Sequence, residues 1–441
     1  MAKPTLWSRA AAIAAKAPPE RNRYVDFLRA LSILAVVVGH WLVSAPYLND
    51  GVVVGGHLLG IVPWTQWLTW LFQVMPLFFL VGGFSNGMSC DATLRGGGNW
   101  PEWYAARVRR LIYPVLPLFL VWTMFALFGT AIGVERGIVA MSAQLALIPV
   151  LFLAVYLLIT ALVPLTRALW RKAGMASFWA LAVGATAVDA VTLVYDVALV
   201  NWANFLFVWL AIHQLGYAWG EGRFPLPPIV ALGGLAALFC LIRFGPYPVA
   251  MIGVPGANLS NSMPPTLAML ALGVAQAGIA LTLEAPMRRL LARERVWTAT
   301  VLVNGMIMTI YLWHLTAFVV VVTAAWLLGG IGLEAAPGSG AWWLARPVWF
   351  ALYIAALLPL IGLFSRFERM DGPGDERAIP HWRLILGVLL ICTGLAATAA
   401  ISIASPLGVT GVRLWVVALP FIGAALIRFG PAYALAKNAR S

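Results

Sequence analysis

The sequence RYVDFLRALSILAVVVGHW, residues 23–41, decides how the rest of the chain is interpreted. After its first charged residues it becomes almost wholly apolar, and a helix that crosses a bilayer needs about 20 such residues in a row. The same composition recurs along the chain, because 62% of the 441 residues are hydrophobic and only 10% are charged. About a quarter of the residues of a soluble domain are charged, so the composition excludes an ordinary soluble enzyme. It also excludes intrinsic disorder, which requires far fewer apolar side chains.

Working outward from this stretch, we find twelve largely apolar segments that are candidates for transmembrane helices. The candidates are residues 27–45, 67–89, 111–130, 142–164, 176–196, 202–220, 227–244, 264–283, 299–327, 346–365, 383–403 and 412–429. They predict an all-α fold, a polytopic bundle of about 10–12 transmembrane helices.

The distribution of charge predicts the orientation of these helices. If the N-terminus is cytoplasmic, the segments place 25 of the 29 lysines and arginines on the cytoplasmic side. Such an excess is typical of cytoplasmic segments, so we predict that both termini are cytoplasmic and that the protein is integral to the cytoplasmic (plasma) membrane. The net charge of +13 is then explained by topology and by contact with anionic membrane lipids, and no nucleic-acid partner is expected.

Changes in polarity divide the chain into four regions. Residues 1–20 form a basic cytoplasmic tail, and residues 21–365 form the main transmembrane domain. Residues 366–382 are the most polar stretch and are predicted to be a cytoplasmic linker. Residues 383–441 follow as an appendix of two helices with a short tail.

The first helix carries three polar residues whose burial in a membrane is unfavourable. A charged group at the middle of a bilayer costs about 2.5–3.5 kcal/mol on insertion scales. At about 100° per residue, Arg29 and His40 lie on one face within about 20° and about 16–17 Å apart, with Asp26 within about 40° of that face. The residues alone leave two interpretations equally open: a functional site, or an interfacial ion pair with a histidine hydrogen-bonded inside the bundle.

Two arginines near the third segment form a second candidate site. Arg107 and Arg110 are three residues apart and are therefore neighbours on one helix face at the predicted inner surface. Two guanidinium groups at a membrane surface suit phosphate groups. Spacing alone nevertheless favours a basic cluster that contacts lipid headgroups. In the preceding segment, Gly82 and Gly83 predict close packing of helices.

Further polar residues inside apolar segments are candidates to line the same cavity as His40. Tyr311 and His314 lie one turn apart in the ninth segment, His213 lies in the sixth and Asp189 in the fifth. A hydrogen-bonded core histidine is the favoured interpretation for His213, and for His314 the structural and functional interpretations are equally open. The histidines are too dispersed along the chain for metal ligation, so no metal is expected.

Four motifs taken together resemble the acyltransferase 3 family of integral membrane acyltransferases, over about residues 20–365. The matching stretches are Asp26-x-x-Arg29 with His40 after ten further residues, FFLVGGF (78–84), RVRRLIYP (107–114) and YLWHL (311–315). Two features depart from the family pattern. Gly82 stands where members often have serine, and the two C-terminal helices exceed the usual ten.

The resemblance implies an enzyme that transfers acyl groups other than aminoacyl groups. Its donor would be a cytosolic acyl-CoA, commonly acetyl-CoA, and its acceptor a hydroxyl of a cell-envelope glycan or a lipid-linked sugar. Under this resemblance His40 is the general base, Asp26 and Arg29 complete its motif, and Arg107 and Arg110 bind the phosphates of acyl-CoA. The expected substrate-positioning residues are Tyr311, His314 and His213.

A transporter or flippase for an envelope precursor is the alternative function. Twelve helices with both termini inside suit a secondary transporter, and intramembrane histidine and aspartate would then relay protons. The two halves of the chain show no matching sequence pattern, which counts against this alternative. A third interpretation is that the protein has this fold without enzymatic activity and serves as a scaffold in envelope assembly.

Overall fold

The computed structural model describes residues 5–18, 20–197, 199–369, 379–405 and 411–429. The first ten helices are α1 (Leu6–Ala15), α2 (Arg23–Val43), α3 (Leu58–Ile61), α4 (Thr69–Phe72), α5 (Met75–Arg95), α6 (Trp100–Ile112), α7 (Val115–Ala131), α8 (Arg136–Leu147), α9 (Val150–Ala161) and α10 (Val163–Ala173). The second ten are α11 (Met175–Tyr195), α12 (Asn204–Gly220), α13 (Pro227–Phe244), α14 (Leu267–Thr282), α15 (Glu284–Leu291), α16 (Glu294–Asn304), α17 (Ile307–Leu327), α18 (Gly340–Arg369), α19 (His381–Ile401) and α20 (Leu414–Leu426).

The described residues contain few secondary-structure elements other than α-helices. A hairpin of two short antiparallel strands, β1 (Tyr47–Asn49) and β2 (Val52–Val54), follows α2. Two 3₁₀ helices precede α4 and α12, at Pro63–Leu68 and Val200–Ala203.

Each of the twelve predicted segments contains a helix, which confirms the all-α, polytopic fold. Nine helices among the described residues are long and apolar enough to cross a membrane, and α14 with α15, bent by 53°, brings the number to ten. The two remaining segments hold shorter helices, because α12 has 17 residues and α20 has 13. The placement of both termini on the cytoplasmic side stays a prediction.

Parts of the predicted linker and tails lie outside the described residues. These parts are residues 1–4, 19, 370–378 and 430–441. The proposed division into an N-terminal tail, a main domain, a linker and an appendix therefore stays a prediction.

The chain folds into two compact units. Unit 1 contains the residues up to Asp91, together with Leu162–Ile307 and Ala335–Trp342. Unit 2 contains Ala92–Ala161, Met308–Glu334 and the residues from Trp343 onward.

Unit 1 is held together by helices that approach closely at small residues. In the pair formed by α13 and α14, a Cβ at Gly234 would overlap the backbone of Ala275, and a Cβ at Gly278 would overlap that of Ala231. Small residues permit such contacts between helix backbones, and the close approach supplies the van der Waals attraction that joins helices in a membrane. The N-terminal helix α1 packs against α16, where the indole of Trp297 donates to the carbonyl oxygen of Ala14 at 3.1 Å.

In unit 2 the two C-terminal helices pack against helices from earlier in the chain. Helix α19 contacts α9 and α20, and the side-chain amide of Gln144 on α8 donates to the carbonyl oxygen of Ala399 at 2.6 Å. At the crossing of α19 with α20, Gly387 and Gly423 let the two backbones meet. The last two helices are thus part of the packing of unit 2.

Candidate active site

The first-helix motif begins with a buried carboxylate that binds two arginines. Asn22 caps α2, and its side chain accepts from the first backbone amides of the helix. Asp26 follows in the first turn, where a carboxylate interacts favourably with the helix dipole. Its Oδ2 lies 2.6 Å from Nε of Arg21, whereas its Oδ1 lies 3.5 Å from Nη1 of Arg29. Arg21 is therefore its closer partner.

Arg29 joins the first-helix motif to the glycine-rich motif of α5. Its Nη2 donates to the hydroxyl of Ser85 at 3.3 Å, directly after FFLVGGF. The side-chain amide of Asn304, at the end of α16, donates to the carbonyl oxygen of Asp26 at 2.9 Å. The first-helix motif thus meets the residue directly after the second motif, 56 positions along the chain from Arg29, in unit 1. Of the Arg29 side chain, 30% stays exposed.

His40 lies in the last turn of α2 and is partly exposed. The turn is closed by the Ser44 amide, which donates to the His40 carbonyl oxygen at 3.1 Å. The C-terminal end of a helix carries partial negative charge from its last carbonyl groups, so it stabilises a protonated imidazole. The last carbonyl groups of α2 therefore act in favour of a positive charge on His40, whereas the surrounding protein, which excludes water from the ring, acts against it.

His213 is fully buried where α5 crosses α12. A Cβ at Gly83 would overlap the carbonyl oxygen of His213, which confirms close packing at this glycine. The ring's Nε2 lies 3.4 Å from the side-chain nitrogen of Asn86, and the ring lies nearly perpendicular to that of Tyr217, with 5.1 Å between the centroids. Its Nδ1 makes no hydrogen bond within the described part of the chain. Substrate positioning by His213 stays a prediction.

Asp189 is engaged by three donors in unit 1. Its Oδ1 accepts from the side-chain amide of Asn204 at 2.7 Å. Its Oδ2 accepts from the hydroxyl of Tyr247 at 2.7 Å and from the backbone amide of Leu267, the first residue of α14, at 2.8 Å. The carboxylate therefore joins α11, α12 and the loop before α14, an arrangement that favours a structural role.

The arginine pair lies in the second half of α6 in unit 2. The guanidinium carbon of Arg107 lies 4.2 Å from the ring centroid of Trp103, one turn earlier, a cation–π arrangement that restricts the side chain. Arg110 is exposed in the last turn. Arg109 is oriented differently, because its Nε contacts the carbonyl oxygen of Ala105 at 3.4 Å. The local structure thus leaves Arg110 accessible to an anion.

Glu368 is a residue of this region that the motifs did not predict. Its Oε1 accepts from the amide of Met308 at 3.0 Å, and its Oε2 accepts from the amide and the hydroxyl of Thr309 at 3.1 and 2.9 Å. The available signal was a lone acidic residue between Arg366 and Arg369, directly after an apolar segment.

Tyr311 and His314 are buried on α17 and are joined through the backbone. The Tyr311 hydroxyl donates to the carbonyl oxygen of Pro149, at the break between α8 and α9, at 2.7 Å. His314 Nδ1 lies 2.7 Å from the carbonyl oxygen of Tyr311. A carbonyl oxygen has no proton to give, so Nδ1 is the donor, and Nε2 of the neutral ring carries the lone pair.

Residues 22–366, more than three quarters of the chain, match a family model described as an acyltransferase domain. These boundaries agree with the extent of the resemblance seen in the four motifs. No curated protein and no solved structure matches the chain.

Proposed function

The chain belongs to the acyltransferase 3 family and is a multi-pass membrane protein, and we propose that it moves an acyl group from cytosolic acyl-CoA to a hydroxyl of a cell-envelope carbohydrate or glycolipid. Acetyl is the proposed acyl group, and the plasma membrane is the proposed location. The observation that carries this proposal is the partly exposed imidazole of His40 in the last turn of α2. Arg29 of the same helix is hydrogen-bonded to Ser85, directly after the second motif.

His40 is the proposed general base. As the acceptor oxygen attacks the thioester carbonyl carbon, the imidazole takes the hydroxyl proton, and the helix C-terminus stabilises the imidazolium. The new carbon–oxygen bond forms, the carbon–sulfur bond breaks, and the proton passes from the imidazolium to the CoA thiolate. The products are an ester and free CoA thiol, with no net uptake or release of protons.

Arg107 and Arg110 are the proposed ligands of the donor phosphates. Guanidinium groups form charge-assisted hydrogen bonds with phosphate oxygens. The stacking of Arg107 on Trp103 supports this role, because a side chain that is already oriented loses less conformational freedom on binding.

His314 is the residue for which we propose positioning of the acceptor hydroxyl. Its Nδ1 lies 2.7 Å from the carbonyl oxygen of Tyr311, and this contact supports the proposal because it fixes the orientation of the ring on α17. For Tyr311 we propose that its bond to Pro149 fixes the helix that carries His314.

Replacing His40 by alanine tests the proposed base. The purified protein is incubated with acetyl-CoA labelled in the acetyl group and with envelope glycans or glycolipids, and label on the acceptor is measured. A general base contributes about 10²–10⁴-fold to a rate, so His40→Ala should lose at least about 10²-fold in turnover while inserting normally. His381→Ala, on an exposed histidine at the start of α19, is the matched control and should keep full activity. Full activity in His40→Ala would refute the mechanism.

Replacing Arg107 and Arg110 together by alanine tests the donor site. The Michaelis constant for acyl-CoA should rise far more than that for the acceptor, since only the donor carries the phosphates. Gradient-driven flux of an envelope precursor without any labelled product would instead support the transporter alternative.

A further inference from the structure

Helix α1 has one apolar row that is packed against unit 1 and another that is exposed. Ala10 and Ala14 are buried where the helix packs against α16. Leu6 and Ile13 lie on one face, two turns apart, and are 54% and 59% exposed. Aliphatic side chains are more stable in an apolar environment than in water. The exposed row is therefore suited to contact with an apolar partner.

A row of basic side chains runs beside the exposed apolar row. Arg9 and Lys16 are exposed, and at about 100° per residue each lies about 60° around the helix from Leu6 or Ile13. Residues 1–18 contain three basic residues and no acidic one. An apolar row flanked by basic residues is typical of a helix that lies in the interface of a membrane with anionic lipids. Charge thus favours anionic lipid as the partner.

The packing of α1 places it beside the start of a membrane-spanning helix. Its ten residues cover only about 15 Å, too little to cross a bilayer. The indole of Trp297 donates to the carbonyl oxygen of Ala14 at 3.1 Å. The guanidinium carbons of Arg21 and Arg23 lie 5.9 and 5.0 Å from the centroid of the same indole. Since Arg23 is the first residue of α2, these contacts hold α1 at the end of that span, and Arg21 joins them to Asp26.

We propose that α1 is an interfacial helix that binds anionic phospholipids at the bilayer surface where α2 begins. Leu6 and Ile13 contact the acyl chains, and Arg9 and Lys16 bind the lipid phosphates. This inference concerns the membrane contact of the protein and does not depend on the proposed enzymatic activity. Each basic residue near an anionic membrane surface contributes about fivefold to binding.

Site-specific quenching in the full-length protein tests the position of the apolar row. A fluorophore is attached to Ile13→Cys or, as the matched control, to Ala15→Cys, an exposed position about 160° away around the helix. Both carry Cys240→Ser, which removes the exposed natural cysteine, whereas Cys90 and Cys392 are buried. The protein is placed in vesicles of equal parts phosphatidylcholine and phosphatidylglycerol. Lipid with a nitroxide on its acyl chain should quench position 13 severalfold more than position 15, and iodide on both sides of the membrane should do the reverse.

The charge of the quenching lipid tests the basic row. At position 13, nitroxide on phosphatidylglycerol should quench more than nitroxide on phosphatidylcholine, with a preference of up to about 25-fold from two basic residues. Arg9→Gln combined with Lys16→Gln should bring this preference close to one. Arg171→Gln combined with Lys172→Gln removes two exposed basic residues from α10 and should leave the preference unchanged.

Three results would overturn the inference. Equal quenching by lipid at positions 13 and 15 would mean that the two faces of α1 do not differ in their contact with the membrane. Protection of position 13 from both nitroxide lipid and iodide would mean that protein, such as a second copy of this chain, covers the row. A preference for phosphatidylglycerol that survives the loss of Arg9 and Lys16 would mean that other residues recognise the anionic lipid.

Discussion

Replacing Asp189 by alanine and by asparagine distinguishes a structural carboxylate from a proton relay. Asp189 accepts hydrogen bonds from Asn204, Tyr247 and the backbone amide of Leu267. A structural carboxylate needs only acceptor oxygens at these positions, whereas a relay needs a group that gains and loses a proton. Asparagine supplies an acceptor oxygen, but its side chain does not gain and lose a proton.

The cost of each replacement follows from the number of bonds lost. A hydrogen bond inside a membrane protein contributes about 0.6 kcal/mol on average and at most about 1.7 kcal/mol. Alanine removes all three bonds, so Asp189→Ala should lower the free energy of unfolding by about 2–5 kcal/mol. Asparagine can keep its carbonyl oxygen towards Tyr247 and Leu267 and turn its amide towards Asn204. Since Oδ1 of Asn204 makes no hydrogen bond among the described residues, that side chain can rotate and accept, and the cost should be about 1 kcal/mol.

Chemical unfolding, hydrogen exchange and acyl transfer together distinguish a structural role of Asp189 from proton relay. In Asp189→Ala, amide exchange in the loop at residues 245–266 should accelerate, because Tyr247 and Leu267 lose their common acceptor. Asp189→Asn should keep slow exchange and acyl transfer. Asp196→Asn, on an exposed aspartate at the end of the same helix, controls for the loss of one charge. An Asp189→Asn protein that is as stable as the wild type but inactive would refute this reasoning and require a titrating group.

Three further predictions concern packing, a buried hydroxyl and pH. Gly83→Ala should lower the free energy of unfolding by about 1–3 kcal/mol, because its Cβ overlaps the His213 carbonyl oxygen, and chemical unfolding measures the loss. Tyr311→Phe leaves the carbonyl oxygen between α8 and α9 unsatisfied, so we expect a loss of about 1–2 kcal/mol with acyl-CoA binding unchanged, measured by unfolding and CoA titration. Partial burial opposes ionisation of Glu221, but hydrogen bonds from an indole and from Arg167 outweigh it and hold the pKa of this carboxyl below its ordinary value of 4.5. Its contribution to stability is therefore complete above pH 4.5 and is lost as the pH falls through the lower folded-state pKa, and unfolding curves of the wild type and Glu221→Gln should converge there.

Hydrophobic length predicted the membrane-spanning helices but not the helices that lie beside them. Each long apolar segment contains a helix, because in a membrane a polypeptide satisfies its backbone by forming one. Helices α10 and α15 escaped prediction, since only one face of each is apolar and no continuous run results. The breaks that divide two spans, into α6 with α7 and α8 with α9, fall next to Pro114 and Pro149, where a proline removes a backbone donor.

Helical periodicity placed Asp26 and Arg29 on one face, and the structure joins them in an ion pair. The other partners could not be predicted, because they come from distant parts of the chain. Ser85 lies 56 residues from Arg29, and Glu368 lies 59 from Thr309. Such pairs are set by which helices pack together, and an apolar segment carries little information about its neighbours.

Polarity inside an apolar segment is therefore a weak sign of chemistry in this protein. A membrane protein must satisfy every polar group that it buries, so a residue such as Asp189 or Tyr311 stands in an apolar segment because a distant partner needs it. The residues proposed for the general base, its motif and the donor site keep some exposed surface, as His40, Arg29 and Arg110 do, whereas His314, proposed to position the acceptor, is buried. A residue that binds substrate must be accessible to it, whereas a residue that only joins two helices need not be accessible. If this reasoning holds, replacements at the exposed set should change activity more than stability, and replacements at the fully hydrogen-bonded set should do the reverse.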